Sequence, residues 1–346
     1  MWFIPEVTGV SPSPRGGIAC TAINSTKLIV FGGSDREPST YDDVWVLETA
    51  GQRLEWIRVT PSFHQGCKVY PRSGATLTAI HDKIFLYGGQ EPLSEQRFSD
   101  LKCLDINTWT WSDVQVQGTV PPARHSHAAG CLAQQCLVIY GGSGEQGTLS
   151  DVWIFNVEQS AWSHASSSGA APLGREMHSG CMINETSMLV YGGRGADGKI
   201  LCDAAVLDVS KMKWGDVEPT PFSRCAHTGI TVPSYTVDSG EASTSDAATS
   251  SVLIYGGFSG DAVEGDVLRI DCKTLEIEQV RRGPRESDMP GTVPQPRFAH
   301  AAASISWSSG TPTQQAMIIL GGVNPNEDLM DVALWVPDRE ISTIIE

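Results

Sequence analysis

An all-β ring of six sheets, each of four antiparallel strands, is the fold this sequence predicts, and two observations predict it. A pair of glycines behind a short apolar run recurs six times, at Gly32-Gly33, Gly88-Gly89, Gly141-Gly142, Gly192-Gly193, Gly256-Gly257 and Gly321-Gly322. A repeat of roughly 50 residues settles the architecture before finer reading begins. Between its marks lie short segments rich in valine, isoleucine, tyrosine and threonine, and no window holds a helical apolar spacing for more than two turns. Six units of four short strands close most economically as a radial array, which leaves only short, protected edges.

Each unit carries further marks. Upstream of the glycines stands an arginine, at Arg15, Arg72, Arg124, Arg175, Arg224 and Arg297. Downstream stands an aspartate, at Asp43, Asp100, Asp151, Asp203, Asp266 and Asp331. In the third copy the strands are expected at Ser126–Cys131, Leu137–Tyr140, Val152–Phe155 and Trp162–Ser166. The glycines are expected to end the second strand near the axis, where the backbone must turn and approach its neighbour closely. The arginines and aspartates are expected to satisfy buried carbonyls and each other, since unpaired charge near the core is costly. His127, His178, His227 and His300 each follow a repeat arginine by three residues, so they read as structural groups bonded to a neighbouring sheet.

Trp2 lies thirteen residues before Arg15, as Trp111 does before Arg124 and Trp162 before Arg175. Trp2–Val7 is therefore expected to be the fourth, outer strand of the sixth sheet, stitching the two ends of the chain together. The competing candidate is the strand-like tail Glu340–Glu346, which has Ser342 where tryptophan is expected. Two stretches, 233–251 and 281–296, interrupt the repeat; the second carries Arg281, Arg282 and Arg285.

The glycine doublets with arginine before and aspartate after resemble the kelch motif, and the whole chain, 1–346, resembles one six-bladed kelch β-propeller of the free-standing kind. The BTB, BACK and F-box segments of ubiquitin-ligase adaptors are not recognisable in it. In that family ligands meet the mouth formed by the loops after the glycine doublets and around the repeat arginines. The resemblance implies Arg36, Ser73, Gln90, His125, Ser143, Glu176, Met177, Arg194, Phe258, Phe298, Val323 and Asn324 as partner-binding positions. Phe258, Phe298, Met177 and Val323 offer apolar anchors, with Arg36 and Arg194 as the cations among them.

A net charge of −16, without a basic run, disfavours nucleic acid and anionic membrane as partners. No signal-peptide pattern opens the chain, and its nine cysteines lack Cys-x-x-Cys spacing. Reduced thiols, a cytoplasmic location, a monomer, and neither metal nor cofactor are expected. Catalytic motifs such as Gly-x-Ser-x-Gly, the P-loop and His-Glu-x-x-His are missing. The expected function is a non-catalytic scaffold for another protein or peptide. The alternatives are a substrate-recognition subunit of a ubiquitin ligase, and an enzyme or small-molecule binder using the central channel.

Overall fold

The computed structural model describes residues 1–37, 39–50, 53–233, 250–284, 288–289, 291–307 and 314–337. Six sheets surround one axis, and the described residues contain no helix. Blade one comprises Ala19–Asn24, Lys27–Phe31, Val44–Glu48 and Arg53–Val59. Blade two comprises Thr76–Ile80, Lys83–Tyr87, Leu101–Asp105 and Thr110–Asp113. Blade three comprises Ala128–Leu132, Cys136–Tyr140, Val152–Asn156 and Ala161–Ala165. Blade four comprises Ser179–Met182, Ser187–Tyr191, Asp203–Asp208 and Lys213–Trp214. Blade five comprises Thr228–Pro233, Ser250–Tyr255, Val267–Asp271 and Ile277–Arg281. Blade six takes Ala301–Trp307, Gln314–Leu320 and Val332–Trp335 from the C-terminal side and Trp2–Phe3 from the N-terminus.

The ring thus closes through the chain's opening residues, with Trp2 opposite Trp335 and Phe3 opposite Leu334. Trp2 packs edge-on against Tyr255 and Trp335 at ring-centre distances of 5.0 and 5.3 Å. The expected continuous strand Trp2–Val7 is divided, however. Past Pro5, which has no N–H to continue a ladder, Glu6–Thr8 crosses to blade one and runs parallel to Arg53–Glu55. The competing strand Glu340–Glu346, most of the 233–251 insertion and Arg285 lie outside the described residues.

The core is not one mass but six apolar wedges, one between each pair of neighbouring blades. Two rings of backbone hydrogen bonds join the blades near the axis. In the first, Gly17 donates to Ala299, Gly74 to Gly17, Ser126 to Gly74, Met177 to Ser126, Ala226 to Met177 and Ala299 to Ala226, at 2.8–2.9 Å. The circle is closed. It requires the left-handed conformation at each member, with φ from 52° to 67°, including the four that are not glycine. Such a conformation costs a non-glycine residue about 1–2 kcal/mol. This is also why Ser126, expected at the head of a strand, stands outside it.

The second ring explains the doublets. The second glycine of each donates to the next repeat arginine's carbonyl, as Gly142 does to Arg175 at 2.9 Å. Gly141 and Gly142 have φ of 65° and 97°, and a Cβ on them would lie 2.9 and 2.7 Å from the carbonyl oxygens of Arg175 and His125. No other residue fits both demands.

The arginines are buried struts. Arg124 donates Nε to the Pro122 carbonyl (3.2 Å), Nη1 to the Gly141 carbonyl (2.9 Å), and both Nη1 and Nη2 to Asp151 (2.7 and 2.8 Å). Blades one, two, four and six repeat this pattern. Three of the four repeat histidines share a hydrogen bond with the inner strand of the preceding blade: His127 with Thr76 (2.8 Å), His227 with Ser179 (2.9 Å) and His300 with Thr228 (2.7 Å). The fourth does not. Ala128 stands where the hydroxyl should be, and the buried ring nitrogens of His178 meet no hydrogen-bonding side chain.

Candidate partner-binding mouth

The two loop sets singled out in the sequence meet in pairs. In every blade the residue after the repeat arginine bonds, backbone to backbone, with the residue after the glycine doublet. The pairs are Gly16 with Ser34, Ser73 with Gln90, His125 with Ser143, Glu176 with Arg194, Cys225 with Phe258 and Phe298 with Val323. Ser73 and Gln90 exchange N–H···O bonds of 2.8 and 2.9 Å, and Phe298 and Val323 ones of 3.0 and 2.9 Å. The two rings of bonds beneath hold these pairs in a circle.

Inside the circle lies a cavity of about 520 Å³, open at the axis and lined from all six blades. Of the expected positions, Arg36, Ser73, Gln90, His125, Met177, Phe298 and Val323 line it. Met177 reaches in because its left-handed backbone belongs to the closed ring. Ser143, Glu176, Arg194, Phe258 and Asn324 are not on the wall. Asn324 is turned inward to build its own loop. Its Oδ1 accepts the N–H groups of Asn326 and Glu327 at 2.8 and 2.9 Å, and its Nδ2 donates to Gln295 at 2.9 Å.

The two cations expected to face a partner are already engaged. Arg36 clasps blade six, pairing with Asp328 at 3.2 Å and donating to the carbonyls of Asn324, Pro325 and Glu327. Arg194 pairs with the buried Glu176 at 2.6 Å. His125 is buried, which lowers its affinity for a proton; Glu176 opposes that, while Arg97 and Arg194 add to it. A neutral His125 with Nδ1 3.0 Å from the Ser126 hydroxyl therefore sits at the rim. Arg97, opposite Gln90 in a two-residue ladder, forms no salt bridge among the described residues.

Sequence reasoning passed over several wall residues: Gly16, Ser126, Ala226 and Ala299 line the cavity with the expected ones. Their position one or two residues after a repeat arginine was available as a signal. Arg97, which lies beside the mouth but not on the cavity wall, was not so marked, because it stands opposite Gln90 in a short hairpin, Gln90–Glu91 with Gln96–Arg97, inserted in the loop. Among the described residues no three histidine, cysteine or acidic side chains cluster as a metal site, and every cysteine is a free thiol. No described helix is long and apolar enough to cross a membrane.

Comparison with known proteins matches the family model of the KLHDC2/KLHL20/DRC7 kelch-repeats domain over residues 1–178 and 63–240. Adagio-like protein 1 of Oryza sativa subsp. japonica is 30% identical over 344 residues, covering 94% of this chain and 48% of its own length. Adagio-like protein 3 of the same plant is 27% identical, covering 81% of this chain and 41% of its own length. Host cell factor of Drosophila melanogaster is 29% identical over 67% of this chain and 18% of its own length. The chain thus spans less than half the length of these relatives. With six glycine doublets, six repeat arginines and a family match over more than half its length, the chain belongs to the kelch-repeat family, as a six-bladed β-propeller.

Proposed function

We propose that the protein is a non-catalytic scaffold whose mouth receives a peptide or a protruding segment of another protein. One observation carries the reading: a cavity of about 520 Å³ on the axis, with Met177, Phe298 and Val323 on one side and Ser73, Gln90 and His125 on the other. An apolar anchor ringed by polar groups is how a protein surface gains binding energy from a few side chains. The wall stands on bonded rings rather than on free loops, so little ordering cost falls on association. A cavity of this volume also suits a small molecule, and a ligand library read by thermal shift covers that second reading.

The test is affinity capture with three variants. Met177→Asp and Phe298→Asp, each on the wall, should reduce the captured partner at least tenfold. Phe258→Asp, off the wall, should leave it unchanged. Capture that survives both wall variants places the site elsewhere.

A further inference from the structure

Four blades carry a fifth segment on the outer edge of the fourth strand. Chain arriving from the preceding blade runs parallel to that strand: Glu6–Thr8 beside Arg53–Glu55, Ser62–Phe63 beside Thr110–Trp111, Gln117 beside Ala161, and Ser168–Gly169 beside Lys213–Trp214. In blades two, three and four one bond recurs. The arriving residue donates its N–H to a carbonyl two positions before the strand's tryptophan. Ser62 donates to Trp109 (2.9 Å), Gln117 to Ser160 (3.1 Å) and Ser168 to Met212 (2.9 Å). The three acceptors share a left-handed backbone, with φ of 51°, 49° and 48°.

Blade five has the acceptor and lacks the donor. Leu275, with φ of 59°, stands two residues before Ile277, which takes the tryptophan's place eleven residues after Asp266. The arriving residue at the matching place, six after Trp214, is Thr220. Its N–H instead bonds the Cys202 carbonyl at 2.9 Å and its hydroxyl the same oxygen at 2.5 Å. Glu218–Pro219 accordingly folds back antiparallel on Asp203–Ala204 of blade four. Pro219 and Pro221 flank Thr220, and neither has an N–H to give a ladder. The diverted segment leaves a cleft of about 600 Å³ between itself and the edge of blade five. Among the described residues no strand pairs with the outer edge of Ile277–Arg281, and the Leu275 carbonyl has no backbone partner.

We infer that this cleft is a second docking site, which takes an extended, lysine- or arginine-bearing segment of a partner protein as a parallel strand on the edge Ile277–Arg281. An open strand edge is a template for an added strand, with main-chain bonds giving affinity and side chains giving choice. Four other blades show that the geometry accepts a parallel strand at this place. Charge selects the occupant: Glu218, Glu276 and Glu278 line the cleft, and Arg269 is tied to Glu278. The site is independent of the mouth.

A pool of amidated heptapeptides with lysine at alternate positions, added to the full chain, is the probe. Backbone amide resonances of 275–281 should shift on addition, and mouth residues should not. Glu276→Lys with Glu278→Lys should weaken binding at least tenfold. Pro219→Ser with Pro221→Gly, which gives Ser-Thr-Gly where 167–169 has Ser-Ser-Gly, should let the chain fill its own edge and abolish binding in a folded protein. The inference is overturned if the pool does not bind, if a glutamate pool binds as well, if backbone N-methylation of the peptides changes nothing, or if the edge is occupied by a second copy, seen as a dimer that Glu278→Lys dissociates.

Discussion

Blades three and five are written with the same marks, yet only blade three builds the full strut. Arg124 uses all three of its donor nitrogens on two carbonyls and both oxygens of Asp151. Arg224 reaches the Ser223 carbonyl and one oxygen of Asp266, leaving its Nε and Asp266 Oδ1 without partners. Gln279 donates at 2.8 Å to the same Asp266 oxygen, Oδ2, that Arg224 uses. The long insertion in blade five is not the reason, since blade six also has a long arginine-to-aspartate interval and builds the bidentate pair at 2.6 and 2.8 Å. The approach is the reason. Elsewhere Nε donates to the carbonyl two residues upstream, which in blades three and six accepts a tyrosine hydroxyl as well; in blade five that carbonyl is Phe222's, and it accepts the Thr220 hydroxyl in addition to that of Tyr191. The segment that turns away from the blade five edge thus also costs the blade its strut. One diversion accounts for both irregularities.

The comparison breaks if the two arginines prove equivalent. Arg124→Ala should cost about 3–5 kcal/mol, because it leaves the Asp151 carboxylate with only the Trp153 indole N–H and removes the Arg124 donors from the Pro122 and Gly141 carbonyls. Arg224→Ala should cost about 1–3 kcal/mol, since half the pair is already unmade and Gln279 still serves Asp266. Urea midpoints decide this, and equal losses would refute the reading of blade five as the weaker joint.

Acid sharpens a second contrast. Blades three to six hold a buried histidine where blades one and two have Ile18 and Ala75. Burial first, then the neighbouring arginines, lower the proton affinity of all four, to a pKa of about 3 for His178 and His227. The unfolded chain takes up these protons near pH 6.5 and the folded chain does not. Stability is therefore complete above pH 6.5 and drains as pH falls toward 3. Each histidine should cost about 2 kcal/mol between pH 7 and pH 5. His178→Leu should reduce the slope of unfolding free energy against pH by one proton, and an unchanged slope would show that the ring is solvated.

The smallest expected effect is a gain. Ala128→Ser restores the hydroxyl that blades two, four and five offer their neighbour's histidine, and should stabilise the protein by about 1 kcal/mol. His127, already bonded to Thr76, provides the reference: Thr76→Ala should cost about as much. Denaturant unfolding of both variants reads the pair.

Much of the architecture was legible because a propeller writes its joints locally. A doublet such as Gly141-Gly142 meets a positive φ and a close carbonyl that no side chain tolerates, and an arginine and an aspartate that recur on either side of every doublet are buried as a pair. Trp2 could be matched to the fourth strand because its distance to Arg15 repeats that of Trp111 to Arg124. At the mouth, position in the repeat found Ser73, Gln90, His125, Phe298 and Val323, since each blade sends the same two positions to the axis. What a residue does there was not legible. Arg36 and Arg194 were expected as the cations of the mouth; Arg36 is spent on Asp328 of another blade, and Arg194 on Glu176 across the blade's own loop pair.

By itself, then, the sequence determined the number of modules, their strands, their closure by Trp2 and the circle of positions around the axis, because each depends on contacts recurring at fixed intervals along the chain. Only the tertiary structure decided which charges are spent, which histidine lacks a partner and which strand edge is left open. The Arg36–Asp328 pair, the hydroxyl missing beside His178 and the diverted segment each join residues from different modules, where no periodicity connects one partner to the other.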